Sequence, residues 1–158
     1  MSAICLYLQV PVYLQQYLNH HFGDPVVFDR TLPMNKLIKL FIERQPSDVP
    51  IRTVTDNDVA IAIPDQSLKP PEYWNYLPPV AEQALLESIE ATFDLNFYNE
   101  MLQIMPCGVK VMTAIRSWAR LHGIDIEYDN TLKQKFYRIR DKFEKQGINI
   151  KKKTRCRD

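Results

Sequence analysis

Lysine and arginine, the residue types that bind phosphate, are concentrated in the last third of the chain. Residues 106–158 carry 14 Lys and Arg against 6 Asp and Glu, whereas residues 1–105 carry 6 against 13. The total charge of +1 hides this division. An acidic part joined to a basic part is typical of a protein that meets a polyanion, and we expect that polyanion to be nucleic acid. Charge alone leaves DNA, RNA and an anionic membrane open.

These cations lie on a predicted helix over 131–146 and in a basic run beyond Gly147. The helix has a narrow apolar seam made of Leu132, Phe136, Ile139 and Phe143. The candidate nucleic-acid-binding residues lie outside that seam, and they are Lys133, Gln134, Lys135, Tyr137, Arg138, Arg140, Lys142, Lys145, Lys151, Lys152, Lys153, Arg155 and Arg157. A duplex major groove admits one α-helix, whose Gln and Arg side chains read base edges while Lys and Arg meet phosphates. The pattern therefore predicts a recognition helix, although a merely solvated basic face gives a similar pattern.

Catalytic chemistry has little support in the sequence. There is no GxGxxG loop, Walker lysine loop, GxSxG elbow or HExxH pair, and only four glycines are available to cradle phosphate. His20 and His21 point about 100° apart on a helix, so they do not share a metal easily. Asp56, Asp58 and Asp65 flank a predicted strand and would hold a divalent cation if they converged. We predict no enzyme activity, no cofactor and no metal site.

The three cysteines are far apart and odd in number, which favours neither a disulfide framework nor a zinc site. Cys5 is predicted in a strand, Cys107 in a turn between helices, and Cys156 in a flexible tail. No apolar run reaches the roughly 20 residues that span a bilayer, and the start of the chain lacks the features of a secretory signal. The expectation is an intracellular, cytoplasmic protein without a membrane partner.

The elements of the N-terminal half alternate between strand and helix. A period-two pattern predicts a strand over 3–10, and helical spacing after Pro11 predicts a helix that ends at Gly23. Residues 25–29 are predicted as a second strand, and a helix capped by Thr31 and started by Pro33 follows. A loop and a third strand over 59–63 complete an order of β-α-β-α-β.

Residues 64–79 form a segment rich in proline and aromatic residues. It is either a partner-binding loop with exposed rings or an ordered connector whose rings pack on the core, and we favour the connector. From Pro79 onward the pattern is helical, with Asp94 or Asn96 as a candidate point where the helix restarts. A further amphipathic helix is predicted over 109–122, ended by Gly123 in the left-handed conformation, and Asp129 or Asn130 is predicted to cap the last helix.

The stretch from about 80 to 146 resembles the homeodomain-like or Myb-like helix-turn-helix units, in which two helices support a third against DNA. The resemblance is carried by Ile115 and Trp118 in the support helix, by Gly123 in the turn, and by the apolar seam of the last helix. The segment 123–130 is longer than the tight turn of that pattern. More loosely, the chain is similar to small accessory proteins of phages, plasmids and conjugative elements.

The sequence thus predicts an α+β protein with three parts. Residues 1–78 would form a small three-stranded sheet with two helices, 79–147 a helix-turn-helix-like bundle, and 148–158 a basic flexible tail. We expect a DNA-binding regulatory or architectural protein, in transcription, replication or transfer of a mobile genetic element, with self-association through the N-terminal part. The alternative is an interaction module whose basic end binds an acidic protein surface, without nucleic acid.

Overall fold

The computed structural model describes residues 3–146, and within that range the chain forms two strands and five α-helices. In chain order they are β1 (Cys5–Gln9), α1 (Val12–Phe22), α2 (Pro33–Phe41), β2 (Asp58–Ala62), α3 (Pro79–Ile104), α4 (Val111–Leu121) and α5 (Asp129–Lys145). Short 3-10 turns at Met105–Cys107 and Ile126–Tyr128 precede the last two helices. The predicted mixture of helix and strand is confirmed.

The chain divides into two compact units. The first comprises residues 3–93 together with 122–124, and the second comprises 94–121 together with 125–146 within the described range. The first unit contains both strands and the first two helices, and the second contains α4 and α5. The predicted functional division at 78/79 stays a prediction.

The two strands of the first unit pair antiparallel, with Leu6 opposite Ile61. Alternate side chains of the first strand and its extension, Leu6, Leu8 and Val10, are buried, as the period-two pattern predicts. Ile4, at the start of the same pattern, is 37% exposed. The sheet therefore has one face that packs on the apolar core of the unit.

The prediction of a strand over 25–29, the second of three, is wrong. Val26 alone pairs with β2, in an isolated parallel bridge to Ile61, and Val27 is exposed. The Phe28 carbonyl accepts a 3.0 Å hydrogen bond from the buried side-chain amide of Asn35, so this main-chain group is not available to a strand ladder. Within residues 3–146 the sheet accordingly has two strands.

The helices of the first unit begin and end close to the predicted residues. Pro11 precedes α1, and Gly23 follows it at φ 87°. The second helix begins at Pro33 as predicted, but Leu32 occupies the N-cap position and makes no side-chain cap hydrogen bond. Thr31 is therefore not the cap, and its N–H instead donates to a carboxylate oxygen of Asp29 at 3.3 Å.

Residues 64–79 form a connector whose aromatic rings differ in exposure, so the prediction of rings packed on the core is met only in part: Tyr73 is 67% exposed, whereas Trp74 and Tyr76 are half-buried. The Lys69 ammonium donates to the carbonyls of Lys39 and Leu40 at the end of α2, where it satisfies groups that have no partner within the helix. Trp74 lies against both Lys69 and Arg44, with the cationic groups 5.5 and 5.4 Å from its ring centroid. These contacts hold the segment against the second helix.

The second unit begins within α3, which runs without interruption from Pro79 to Ile104. The predicted restart at Asp94 or Asn96 is wrong, because the Asp94 carboxylate makes an ion pair with Lys135 rather than capping a helix. Gly108 then adopts φ 80° in the turn before α4. Trp118 of α4 is 1% exposed and its ring lies 4.6 Å from that of Phe97, centroid to centroid.

Gly123 ends the turn after α4 in the left-handed conformation, as predicted, with φ 76°. Its lack of a side chain is also needed for packing, since a Cβ at this position would lie 2.8 Å from two ring atoms of His20. No helix within the described part of the chain is long and apolar enough to cross a membrane.

Candidate nucleic-acid interface

The apolar seam of α5 is buried as its spacing predicts. Leu132, Phe136 and Ile139 are at most 6% exposed. The Phe136 ring packs between Phe97 and Tyr98 of α3, with centroid distances of 6.2 and 5.8 Å. Aromatic rings at such separations add specific edge and offset contacts to the burial of apolar area. The seam therefore fixes which side of the helix faces outward.

Burial also changes the pKa of Tyr98, a residue of α3 that packs against α5. Desolvation raises the pKa of its phenol, and the nearby Glu144 carboxylate raises the pKa further. The Tyr98 ring also lies 4.9 Å from that of Phe143, the last residue of the seam. The C-terminal part of α5 is thus held by aromatic packing up to its last turn.

The start of α5 differs from the prediction of an Asp129 or Asn130 cap. The 3-10 turn Ile126–Tyr128 runs directly into the helix, and Tyr128 occupies the N-cap position without a side-chain hydrogen bond. The Asp129 carboxylate is buried and accepts a 3.3 Å hydrogen bond from Arg116 of α4. This ion pair joins α4 to the first turn of α5, where a carboxylate is also favoured by the helix dipole.

Three cations form an exposed stripe on the C-terminal half of α5. Arg138, Lys142 and Lys145 are all exposed, and none makes an ion pair with any residue in 3–146. Their i, i+4, i+7 spacing places them on one side of the helix, about 90–150° around the helix axis from the centre of the seam. With Asp141 and Gln146 they line a shallow surface depression. We call Arg138, Lys142 and Lys145 the cationic stripe.

Lys135 does not belong to this exposed surface, although helical spacing predicts it on the same arc as Arg138, Lys142 and Lys145. Its side chain is 13% exposed and its ammonium lies 2.8 Å from a carboxylate oxygen of Asp94. An ammonium held in this way is not open to a phosphate. The exposed cationic surface of α5 therefore does not include Lys135.

The ion pair between Lys135 and Asp94 predicts a stability effect. Replacing Lys135 with alanine should lower the free energy of unfolding by about 1–2 kcal/mol, between the values for exposed and fully buried pairs, because Asp94 loses its partner. Lys133→Ala is a matched control on the same helix, since Lys133 is only half-buried and makes no ion pair within the described range. Urea denaturation of both variants measures the difference, and equal losses would show that the pair contributes nothing.

The remaining candidates of α5 lie at the borders of the exposed surface. The Arg140 guanidinium stacks over Tyr137 at 4.7 Å and lies 3.9 Å from the Asp141 carboxylate. Lys133 is half-buried and Gln134 is exposed. The candidates of the basic run, Lys151, Lys152, Lys153, Arg155 and Arg157, lie outside the described residues, and so does Cys156.

The histidines form a contact that the sequence did not predict. His21 Nε2 lies 2.7 Å from His122 Nδ1, and these residues are 101 positions apart. The Tyr17 ring packs on both imidazoles, and the His20 ring lies 5.0 Å from that of His21. His122 is buried, so the pair joins α1 to segment 122–124 inside the first unit. The sequence could not predict this contact because the two histidines are far apart along the chain.

The described part of the chain has no assembled site for metal binding or for catalysis by a cysteine nucleophile. No group of three or more His, Cys, Asp or Glu side chains within 3–146 is placed to hold a metal ion. The Asp58 carboxylate accepts hydrogen bonds from Arg52 and Thr55, whereas Asp56 and Asp65 are exposed. Desolvation, with a smaller contribution from Asp24, raises the pKa of the Cys5 thiol, which opposes the thiolate form that a nucleophile needs.

Comparison with known proteins gives no guide to the interface. No protein-family model, no curated protein and no solved structure matches this chain.

Proposed function

We propose that the protein binds duplex DNA through the cationic stripe of α5. The observation that carries this proposal is the exposure of Arg138, Lys142 and Lys145 without an ion pair in the described range. By contrast, Lys135 of the same helix and Arg116 of α4 are already engaged by carboxylates. A helix that buries its apolar seam and keeps three exposed cations together on another side is suited to lie in a groove between phosphates.

The C-terminal half of α5 is the part that we expect to face DNA. Asp125 and Glu127 are exposed just before the helix, and their charge would repel phosphates from its N-terminus. Recognition helices of helix-turn-helix proteins contact bases with their N-terminal residues. If α4 and α5 act as a helix-turn-helix-like unit, we therefore expect a shifted docking in which Arg138 lies near the centre of the contact.

Duplex DNA is favoured over duplex RNA by groove shape. The B-form major groove is wide enough for an α-helix, whereas the A-form major groove of RNA is deep and narrow. Within this proposal, a regulatory or architectural role in transcription, replication or transfer of a mobile genetic element remains the biological expectation. The basic run beyond Gly147 would add phosphate contacts.

A salt series on the full chain tests the proposal. Fluorescence anisotropy with a nonspecific 20-base-pair duplex should show binding that weakens with salt, with log K against log salt falling at a slope of about −2.7 or steeper. That slope corresponds to three phosphates at about −0.9 each. An RNA duplex of the same sequence should compete less well. Absence of binding even at about 50 mM salt would exclude DNA and leave an acidic protein surface as the partner of the basic end.

A further inference from the structure

The outer edge of β1 presents main-chain groups that the sheet does not use. The Ile63 N–H donates to the Ile4 carbonyl at 2.9 Å, so the main-chain groups of Ile4 face β2. Because main-chain direction alternates along a strand, those of Cys5 and Tyr7 face away from β2. The Tyr7 carbonyl confirms this direction, since it accepts a hydrogen bond from the Arg52 guanidinium. The N–H groups of Cys5 and Tyr7 lie on the same outer edge.

A groove runs along this edge inside the first unit. It has a volume of about 540 Å³ and is lined by residues 4–8 of the first strand region, by segments 49–52 and 75–77, and by Leu85 of α3. Its buried side chains include Leu77, and Ile51 at its border is 83% exposed. A groove of this size that combines apolar lining with a few polar groups is typical of a ligand site.

Arg52 sets the charge of the groove. Its guanidinium lies 2.6 Å from the Asp58 carboxylate and 2.9 Å from that of Glu82. One cation between two carboxylates leaves a local charge of −1. The Asp58 side chain is 2% exposed, so the excess negative charge that a ligand can reach is at Glu82, whose side chain is 37% exposed.

The edge itself lacks the usual protection against strand addition. Natural proteins shield edge strands with lysines, prolines or bulges. The strand Cys5–Gln9 has neither a charge nor a proline, and Arg52 engages only one of its outward carbonyls. Arg52 therefore covers part of this edge, at the Tyr7 carbonyl, while the N–H groups of Cys5 and Tyr7 and the Cys5 carbonyl make no main-chain pair within residues 3–146. A strand edge with such unpaired main-chain groups beside an apolar groove is a surface to which an extended peptide adds as a further strand.

We propose that this groove binds an extended peptide that pairs with the outer edge of β1 and carries alternating apolar side chains next to a lysine or arginine. Main-chain hydrogen bonds to Cys5 and Tyr7 would give affinity, and the apolar lining would select alternate side chains. The complementary charge at Glu82 selects a cationic peptide. This site lies in the first unit and is independent of the DNA contact on α5.

Synthetic octapeptides that alternate valine and threonine test the proposal on the full chain. Three peptides carry lysine, glutamine or glutamate at one central threonine position, and a fourth is the lysine peptide with N-methyl groups on alternate amides. In NMR titrations the lysine peptide should bind tightest and should protect the Cys5 and Tyr7 amides from hydrogen exchange, while Leu6 and Leu8 change little. Failure of all four peptides at millimolar concentration would overturn the proposal, and so would undiminished binding of the N-methylated peptide.

A pair of variants tests the charge selection. Glu82→Gln should weaken binding of the lysine peptide about two- to fivefold more than binding of the glutamine peptide, as expected for one exposed ion pair. Glu87→Gln is the matched control, because Glu87 is exposed on the same helix and does not line the groove. Equal effects of the two variants on the lysine peptide would overturn the assignment of the charge to Glu82.

Discussion

The variant Arg138→Ala/Lys142→Ala/Lys145→Ala should lose most of the protein's affinity for duplex DNA and keep its melting temperature. Each cation that neutralises a phosphate contributes about −0.9 to the slope of log K against log salt, so the slope should become shallower by about 2.7. Stability should change little, because all three side chains are exposed and none makes an ion pair with the described residues. Anisotropy across a salt series and thermal denaturation measure the two effects.

A variant with the same change in net charge separates the stripe from overall electrostatics. Arg30→Ala/Lys36→Ala/Lys110→Ala also removes three exposed cations, none of them on α5. This control should reduce DNA affinity only slightly and leave the salt slope in place. Similar losses in the two triple variants would mean that net charge, not the cationic stripe, governs the interaction. Unfolding of the stripe variant would instead show that the outward orientation of these side chains is wrong.

Replacing Phe136 with alanine should lower the free energy of unfolding by about 3–5 kcal/mol. Phe136 is 3% exposed and contacts the rings of Phe97 and Tyr98, so its truncation removes apolar contacts and leaves a cavity under the middle of α5. The cationic stripe depends on this packing, because the seam determines which side of the helix is outward. Chemical denaturation by urea or guanidinium measures the loss.

The control for this substitution is Gln134→Ala on the same helix. Gln134 is exposed, so its replacement should change stability by less than about 0.5 kcal/mol. A loss below about 1 kcal/mol for Phe136→Ala would contradict the placement of the seam, since truncation of a buried phenylalanine lowers the free energy of unfolding by more than that.

Local patterns in the sequence were sufficient to predict most of the helices and the first strand. The period-two run before Pro11 and the helical spacing after it act over neighbouring residues, and the structure has β1 and α1 there. Over 25–29 the predicted strand is reduced to one bridge, between Val26 and Ile61, and the Phe28 carbonyl binds the side chain of Asn35 instead of a strand. Residues 25–29 have a high strand propensity, but whether they pair with another strand depends on tertiary structure.

The candidate interface was predictable to a similar extent. The seam of α5 and the outward direction of Arg138, Lys142 and Lys145 follow from helical geometry alone. The ion pair of Lys135 with Asp94 was not predictable, because the two residues are 41 positions apart and meet only when α5 packs on α3. The contact between His21 and His122 escaped for the same reason.

The groove beside β1 could not be predicted from the sequence. It depends on Arg52 and the nearby Asp58 meeting Glu82, 30 positions from Arg52, and the carbonyl of Tyr7, 45 positions from Arg52. No local spacing marks such a convergence. Ile51, at the exposed border of the groove, lies in a segment that the sequence pattern assigns to a loop.

Two glycines with the same backbone conformation differ in their freedom to vary through evolution. Gly108 and Gly123 have φ values of 80° and 76°, but a Cβ at 108 would meet nothing within 4 Å, whereas one at 123 would strike the His20 ring. Asparagine tolerates left-handed backbone better than most residues, so a lineage can replace Gly108 with asparagine at little cost in stability. Position 123 is different, because a larger residue there becomes acceptable only after His20 has been replaced by something smaller, and the two sites must therefore change together.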